Sequence, residues 1–548
     1  MRKFRSILLV AVLGLVVIGL AACQKSPAKK STSSDKAVLN LSTTAPLDTI
    51  DISKATGYGQ TGNVFESFYR LGKNGKPTAG LAKSSQVSKD GKTWTFTLRN
   101  AKWSNGDKIT AQDFVYSWRR TVTPKTKSTY AYLFSGIKNA DQIAAGKVSP
   151  SKIGIKALNN KTVQIQLDKP IAYFKVLMAY PLFGPQNQKV VDKYGKKYGT
   201  SSKYMVYSGP FKIQNWNGTG NKWQFVKNNQ YWDKSVVKLK KINYTVVESP
   251  TTGLELYQQG KLDLTPLSNT QIKNYKNNSQ FKQYPYSVVG YLKYNFKDAN
   301  PTKRKILNNR NIRLAMSLSI NRKQLTQKVL GDGSATPTGF VASDLAKNPK
   351  NGEDFSKEQA VPNTVDHNEK LARQYWERGL KQLGIKKVNL TILGANDDPT
   401  TSPISQYLKA QFAKVLPGFT LNIRNIPSKA SNEQELKGDF DISLSGWGAD
   451  FNDPISFLQI PLTGTSYNSG KYSNAKFDSL VKRAQNQDAN NPEKRWDDLV
   501  QASRLFSKDQ GMTPLYQQVT SYLQKPGLKG VIHNTAGTQW NYKYATVK

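Results

Sequence analysis

Short runs of alternating apolar and polar residues take turns with longer runs of helical spacing along the 548-residue chain. AVLNLSTT (37–44), TWTFTLR (93–99) and TVQIQLD (162–168) alternate strictly between Gly, Asn and Lys turns, which predicts half-buried strands. WQFVKN, KINYTVV and SVVGYLKYNF predict further strands after SGPFKIQNW. In TAQDFVYSWRR, Thr110 and Asp113 form a capping box, and the helix it opens places Phe114, Val115 and Trp118 on one face. Arg304 to Leu330 reads as helices carrying Ile306, Ile312, Leu314, Ala315, Leu318 and Ile320. VDHNEKLARQYWERGLKQLG is an amphipathic helix ending at Gly384, with the strand KVNLTILG behind it. Helix and strand alternate onward through SQYLKAQFAKVL, FTLNIRNI and FDISLSGWG; FDSLVKRAQ and RWDDLVQASRLF read as helices, and MTPLYQQVTSYL returns to strand character.

Mixed strand and helix order without a fixed repeat predicts α/β lobes. The length exceeds what one core supports, and a prior of roughly 150 residues per domain suggests three or four. Tyr (27) and Trp (10) dominate the aromatics, residues with apolar area and a polar tip that suit a binding cleft as well as a large core.

The net charge of +43 changes the picture less than its size suggests. Lysines are scattered almost evenly, with no basic block and no RNP or zinc-finger spacing, so nucleic acid is not the expected partner. A solvated, mostly lysine exterior is the simpler reading.

The N-terminus speaks to location. Arg2, Lys3 and Arg5 precede an uncharged, largely apolar run from Ser6 to Ala22, the layout of an export signal. The run is at the short limit for spanning ~30 Å. Leu20-Ala21-Ala22-Cys23 resembles the bacterial lipobox, which implies a signal peptide 1–22, cleavage before Cys23, and acylation of its thiol. Residues 23–36 are Ser/Lys-rich and read as a flexible tether. Cys23 is the only cysteine, so neither an internal disulfide nor a further thiolate is available.

Familiar chemistries fail one by one. GYGQTG (57–62) fits G-x-G-x-x-G but lacks a strand directly before it. DFNDP lacks the Gly and terminal Glu of a calcium loop. The two histidines, His367 and His533, stand in unrelated polar contexts and read most simply as surface residues. No G-x-S-x-G elbow is present. The expectation is a protein without catalytic groups, metal or cofactor.

GWGADFNDP (446–454) stands apart, because it concentrates Asp450 and Asp453 around Phe451 in a strongly basic chain. It follows the predicted strand FDISLS, and the carboxyl ends of strands are where open α/β sheets bind ligands. Taken alone, Asp450 is a ligand for a cation or a turn residue, and Asp453 before Pro454 is a turn or helix cap.

Several segments together resemble the extracytoplasmic peptide-binding proteins of ATP-driven oligopeptide and dipeptide importers. They are WSNGDKITAQDFVYSWRRTVTPKT (103–126), YSGPFKIQNW (207–216), NNQYWD (228–233), YLKYNFKD…RNIRLAMSLSINRKQL (291–325) and FDISLSGWGADFNDPISFL (440–458), in order across nearly the whole chain. The resemblance implies a two-lobed periplasmic-binding-protein-like α/β fold with an extra inserted domain. Lobe I would combine 37–66, 206–292 and 512–548, the inserted domain would be 67–205, and lobe III 293–511. Hinge strands would lie near 290–295 and 509–514.

The same resemblance implies roles. Asp450 would receive the α-ammonium of a bound peptide, and Gly446, Trp447 and Gly448 would hydrogen-bond its main chain as an added strand. The loop Ala55 to Gly59, with Ala55 and Gly57, would contribute from the facing lobe, and one of Tyr130 and Tyr132 would touch ligand. Leu444 stands where some relatives carry an Arg for the peptide's C-terminal carboxylate, which implies open peptide length. The implied partners are peptides, the permease and ATPase subunits of an importer, and the membrane of a Gram-positive surface through acylated Cys23. Rival readings are a receptor for one signalling peptide and a charge-driven surface adhesin.

Overall fold

The computed structural model describes residues 37–47, 49–55 and 58–548, so the signal-peptide and lipobox expectations and Gly57 lie outside the described residues. Val38–Lys548 forms a compact unit. Its backbone is a ten-stranded mixed sheet. Across it the strands run Phe419–Ile426, Val388–Ala395, Ile442–Gly448, Phe281–Tyr294, Met512–Gln524, Leu264–Pro266, Val38–Thr43, Lys241–Val246, Lys222–Lys227 and Phe211–Gln214. The α/β class read from the sequence is the class the chain adopts.

The predicted alternating segments pair as strands. Val38–Thr43 lies parallel to Lys241–Val246 in register, and Val388–Ala395 lies parallel to Phe419–Ile426. In both cases the inward positions, Leu39 and Leu41 or Leu390 and Ile392, are buried. A separate four-stranded antiparallel sheet, Ala82–Val87, Thr93–Leu98, Thr162–Gln166 and Ile155–Asn159, lies within the stretch 67–205. The helix Ala111–Val122 packs on it and starts as the pattern requires: Thr110 N donates to Asp113 Oδ2 at 2.7 Å in a capping box. Phe114, Val115 and Trp118 point inward, and Phe68 is sandwiched between Phe96 at 4.3 Å and Phe114 at 4.1 Å.

The long strands Phe281–Tyr294 and Met512–Gln524 pair antiparallel at the middle of the large sheet. Their register slips between Pro285 and Val289 and again between Gly290 and Tyr291. Gly290 is required at this crowded point, since a Cβ there would lie 2.3 Å from the Tyr516 ring.

Some elements differ from the pattern reading. The helix Ser428–Lys437 buries only Ser431, so its sequence carries no apolar stripe. The helical tract after Arg304 is broken into Pro301–Asn308, Arg310–Ser319, Arg322–Gln324 and a π-turn at Leu325–Leu330. Asn300, Asn309 and Asn321 each cap a new start with their side chains, which interrupts the tract.

Candidate functional site

The strand before the two acids runs further than FDISLS. It is Ile442–Gly448, because main-chain pairing continues through Gly290↔Gly446, Val289↔Trp447 and Val288↔Gly448. Its other edge is different. The neighbouring strand pairs there only at Ile392↔Ile442 and Leu393↔Ser443. From Leu444 to Gly448 that edge has no strand partner among the described residues. Gly446 and Gly448 are exposed, and a Cβ on Gly446 would meet only Val289 O at 3.7 Å. Free N–H and C=O groups with no side chains over them are a template for an extended chain.

Asp450 lies two residues beyond this edge and is held at three points. Its N–H donates to Ser456 Oγ at 2.8 Å, its carbonyl accepts from Tyr180 Oη at 2.5 Å, and Oδ1 accepts from Tyr132 Oη at 2.8 Å. Oδ2 is buried with no hydrogen-bond donor among the described residues. Burial therefore pushes the carboxyl up to about 6, with the Tyr132 hydrogen bond pulling it back part of the way. A buried carboxylate with acceptor capacity unspent is stabilised by a cationic donor brought to it.

Aromatic rings enclose this carboxylate. Tyr58 lies 5.2 Å from Tyr130 and 6.4 Å from Tyr180; Tyr132 lies 6.1 Å from Tyr130 and 6.4 Å from Tyr467. Trp447 closes the series at 5.2 Å from Tyr467, with its Nε1 donating to Ser456 O at 2.8 Å. Burial raises the Tyr58 and Tyr180 phenols well above their usual range, so both stay protonated donors at neutral pH. Tyr58, Tyr130, Tyr180, Ser287 and Asp450 line a cavity of about 230 Å³, and Ser287 Oγ is a second buried oxygen without a partner among the described residues. Ring faces, a carboxylate and a hydroxyl together suit a small organic cation.

The structure thus brings Gly446, Trp447, Gly448, Asp450, Tyr130 and Tyr132 together, although their two stretches are more than three hundred residues apart. Tyr132 meets Asp450 directly, whereas Tyr130 faces the cavity. Ala55 is buried, its carbonyl accepting from Thr129 Oγ1 at 3.5 Å, while Tyr58 and Gly59 of the same loop line the cavity. Tyr58, Tyr180, Ser287 and Tyr467 were not singled out from sequence, where nothing but the excess of tyrosine marks them.

Asp453 has a different job. Its Oδ1 accepts from Ile455 N at 2.9 Å, and both oxygens take the Arg495 guanidinium at 2.7 and 2.9 Å. It shapes the turn and neutralises a buried arginine. Phe451, between the acids, stacks on Tyr173 at 4.3 Å. His533 is not the surface residue its context suggested: it packs 4.7 Å from Trp540 and 4.9 Å from Tyr284, and burial pushes its pKa down to about 4. Among the described residues no cluster of three His, Cys, Asp or Glu could hold a metal ion, and no helix is long and apolar enough to cross a membrane.

Comparison with known proteins identifies the family. The profile of bacterial extracellular solute-binding proteins, family 5 (middle), matches residues 76–469. A dipeptide-binding protein of Lactococcus lactis subsp. cremoris is 38% identical over 513 residues, covering 92% of each chain. A peptide-bound OppA from Listeria monocytogenes is 37% identical and superposes with a TM-score of 0.75, covering 94% of this chain and 99% of that one. The substrate-binding domain of an oligopeptide ABC transporter from Bacillus anthracis is 36% identical with a TM-score of 0.75, over 94% and 99% of the two chains. The α/β architecture is therefore the two-lobed, periplasmic-binding-protein-like one that the resemblance implied.

Proposed function

Because the chain belongs to the bacterial extracellular solute-binding proteins of family 5, we propose that it binds and delivers its ligand rather than transforming it, and that this ligand is a peptide held by its free N-terminus and main chain. The α-ammonium meets Asp450, whose Oδ2 is buried without a donor among the described residues; this observation carries the reading. Ser287 Oγ supplies a second acceptor and the surrounding rings a third source of attraction. The peptide backbone then runs along the open edge from Gly448 toward Leu444 as an added strand. Ala55 and Gly57 belong to the facing loop, of which Tyr58 and Gly59 reach the cavity.

Main-chain contacts read no side chains, so the site accepts many sequences. Leu444 provides no charge for a C-terminal carboxylate, so peptide length stays open. Lobe I (37–66, 206–292, 512–548) and lobe III (293–511) close around the peptide, with the insertion 67–205 bringing Tyr132 and Tyr180 to Asp450. The hinge is the pair of crossing strands near 290–295 and 509–514. The loaded receptor, tethered to the outer face of the membrane of a Gram-positive cell by acylated Cys23, hands its peptide to the permease of an importer driven by a cytoplasmic ATPase.

Native mass spectrometry of the purified chain, before and after addition of a random peptide mixture, tests this. Many peptide adducts support the reading, and a matching Nα-acetylated mixture should give few. A single dominant adduct would mean a receptor for one peptide. No adduct in either sample would overturn peptide capture and leave adhesion, which steep loss of binding with added salt would then reveal.

A further inference from the structure

A second cavity, of about 890 Å³, adjoins the peptide site and shares Thr535 with it. Its walls come from opposite parts of the chain. One side is built from 73–77, residues between 87 and 94, and 171–176; another from 344–349, 452–454 and 489–496; and 284–285 with 531–535 line the space as well. The sides touch at their seams: Asn490 Nδ2 donates to Asp90 O at 3.3 Å, and Asn452 lies so close to Gly75 that a Cβ there would fall 2.3 Å from Asn452 Cγ. The volume is that of a pocket for a small organic molecule.

The lining has two characters. Trp94, Ile171, Leu345 and Trp496 make it apolar, and three of its residues keep buried polar atoms without partners among the described residues, Trp94 Nε1, Asn452 Oδ1 and His533 Nε2. The mouth is cationic. Lys73, Lys76 and Lys89 are exposed and form no ion pair among the described residues. Of the acids nearby, Asp453 takes Arg495, whereas Asp344 and Asp354 share Lys347 alone and leave one negative charge against the three lysines. Aromatic walls alone could attract a cation, but three unpaired ammonium groups at the mouth repel one.

We propose that this cavity binds an amphipathic organic anion, its apolar body between Trp94 and Trp496 and its carboxylate or sulfonate at Lys73, Lys76 and Lys89. Such a ligand touches both walls, so it favours the closed arrangement and raises peptide affinity by the factor by which peptide raises its own. The site is distinct from Asp450 and stands whether or not the peptide reading does.

The probe is 8-anilinonaphthalene-1-sulfonate, followed by fluorescence with the purified chain and no peptide, beside its uncharged counterpart N-phenyl-1-naphthylamine. The expected result is saturable one-to-one binding of the sulfonate that is much tighter than that of the neutral probe. K73Q/K76Q/K89Q should weaken the sulfonate about tenfold, the sum of three partly screened attractions. Val176→Trp, which fills the cavity, should abolish binding while circular dichroism stays unchanged. Equal affinity for both probes, or sulfonate binding unaltered in both variants, would overturn the proposal. So would competitive displacement by peptide, which would put the probe in the peptide cleft.

Discussion

The phenol of Tyr132 donates a 2.8 Å hydrogen bond to Oδ1 of Asp450 from 318 positions earlier in the chain. One carboxylate oxygen is thereby fixed in direction, and the other is left for the ligand. The donor also favours the charged form of a carboxyl that burial works against.

Tyr132→Phe removes that donor without removing the ring. Peptide affinity at pH 7 should fall by about tenfold, the value of one hydrogen bond to a charged group. The Asp450 carboxyl should titrate at a higher pH, visible as an upward shift in the pH at which calorimetric affinity begins to fail. An unchanged affinity and an unchanged midpoint would show that Tyr132 merely packs there.

Asp450→Asn should cost about 2–5 kcal/mol in binding a free-N-terminal peptide, because the ammonium then enters a buried site without a counter-charge. The variant should lose most of its preference for free over Nα-acetylated peptides. Paired calorimetry on the two peptides measures this.

The pH dependence has a defined sign. The ligand-free carboxyl sits at about 6, above its ordinary 3.8, so it is half protonated there, and the ammonium requires the charged form. Affinity should be flat above about pH 7 and fall by about tenfold per unit well below pH 6, with one proton released on binding in that window. Titrations in buffers of different ionisation enthalpy count the proton. Affinity that stays constant down to pH 4.5 contradicts the assignment.

Arg495→Met should destabilise the fold by roughly 3–5 kcal/mol, since it strands the largely buried Asp453 carboxylate. Adding Asp453→Asn should restore much of the loss. Thermal denaturation of the two single variants and the double variant forms the cycle, and additive losses would mean that the pair is not coupled.

Gly537→Ala should cost about 1–3 kcal/mol and weaken peptide binding together. Gly537 has φ +69°, and a Cβ would fall 2.1 Å from Tyr180 Oη, the group that holds the Asp450 carbonyl. Thermal melts and calorimetry on the one variant read both effects.

By itself the sequence determined the local elements. The capping box at Thr110 and Asp113 depends on neighbours three apart, and the left-handed Gly384 ends its helix for a reason written in one residue. Alternating segments became strands because burying one face of each requires only period two. Asp450 was legible through a motif of contiguous residues, as were Gly446, Trp447 and Gly448. Tertiary structure alone decided the rest. The helix Ser428–Lys437 lacks any apolar pattern. The strand through Gly448 pairs with residues 288–290, a partner that no local signal announces. Tyr180 and Ser287 join Asp450 only because distant segments pack on it, and His533 is half-buried against Tyr284 and Trp540 rather than by its own neighbours in sequence. Periodicity and capping are short-range, so they can be read along a chain. Burial, and with it the charge state of Asp450, depends on what the fold brings from far away.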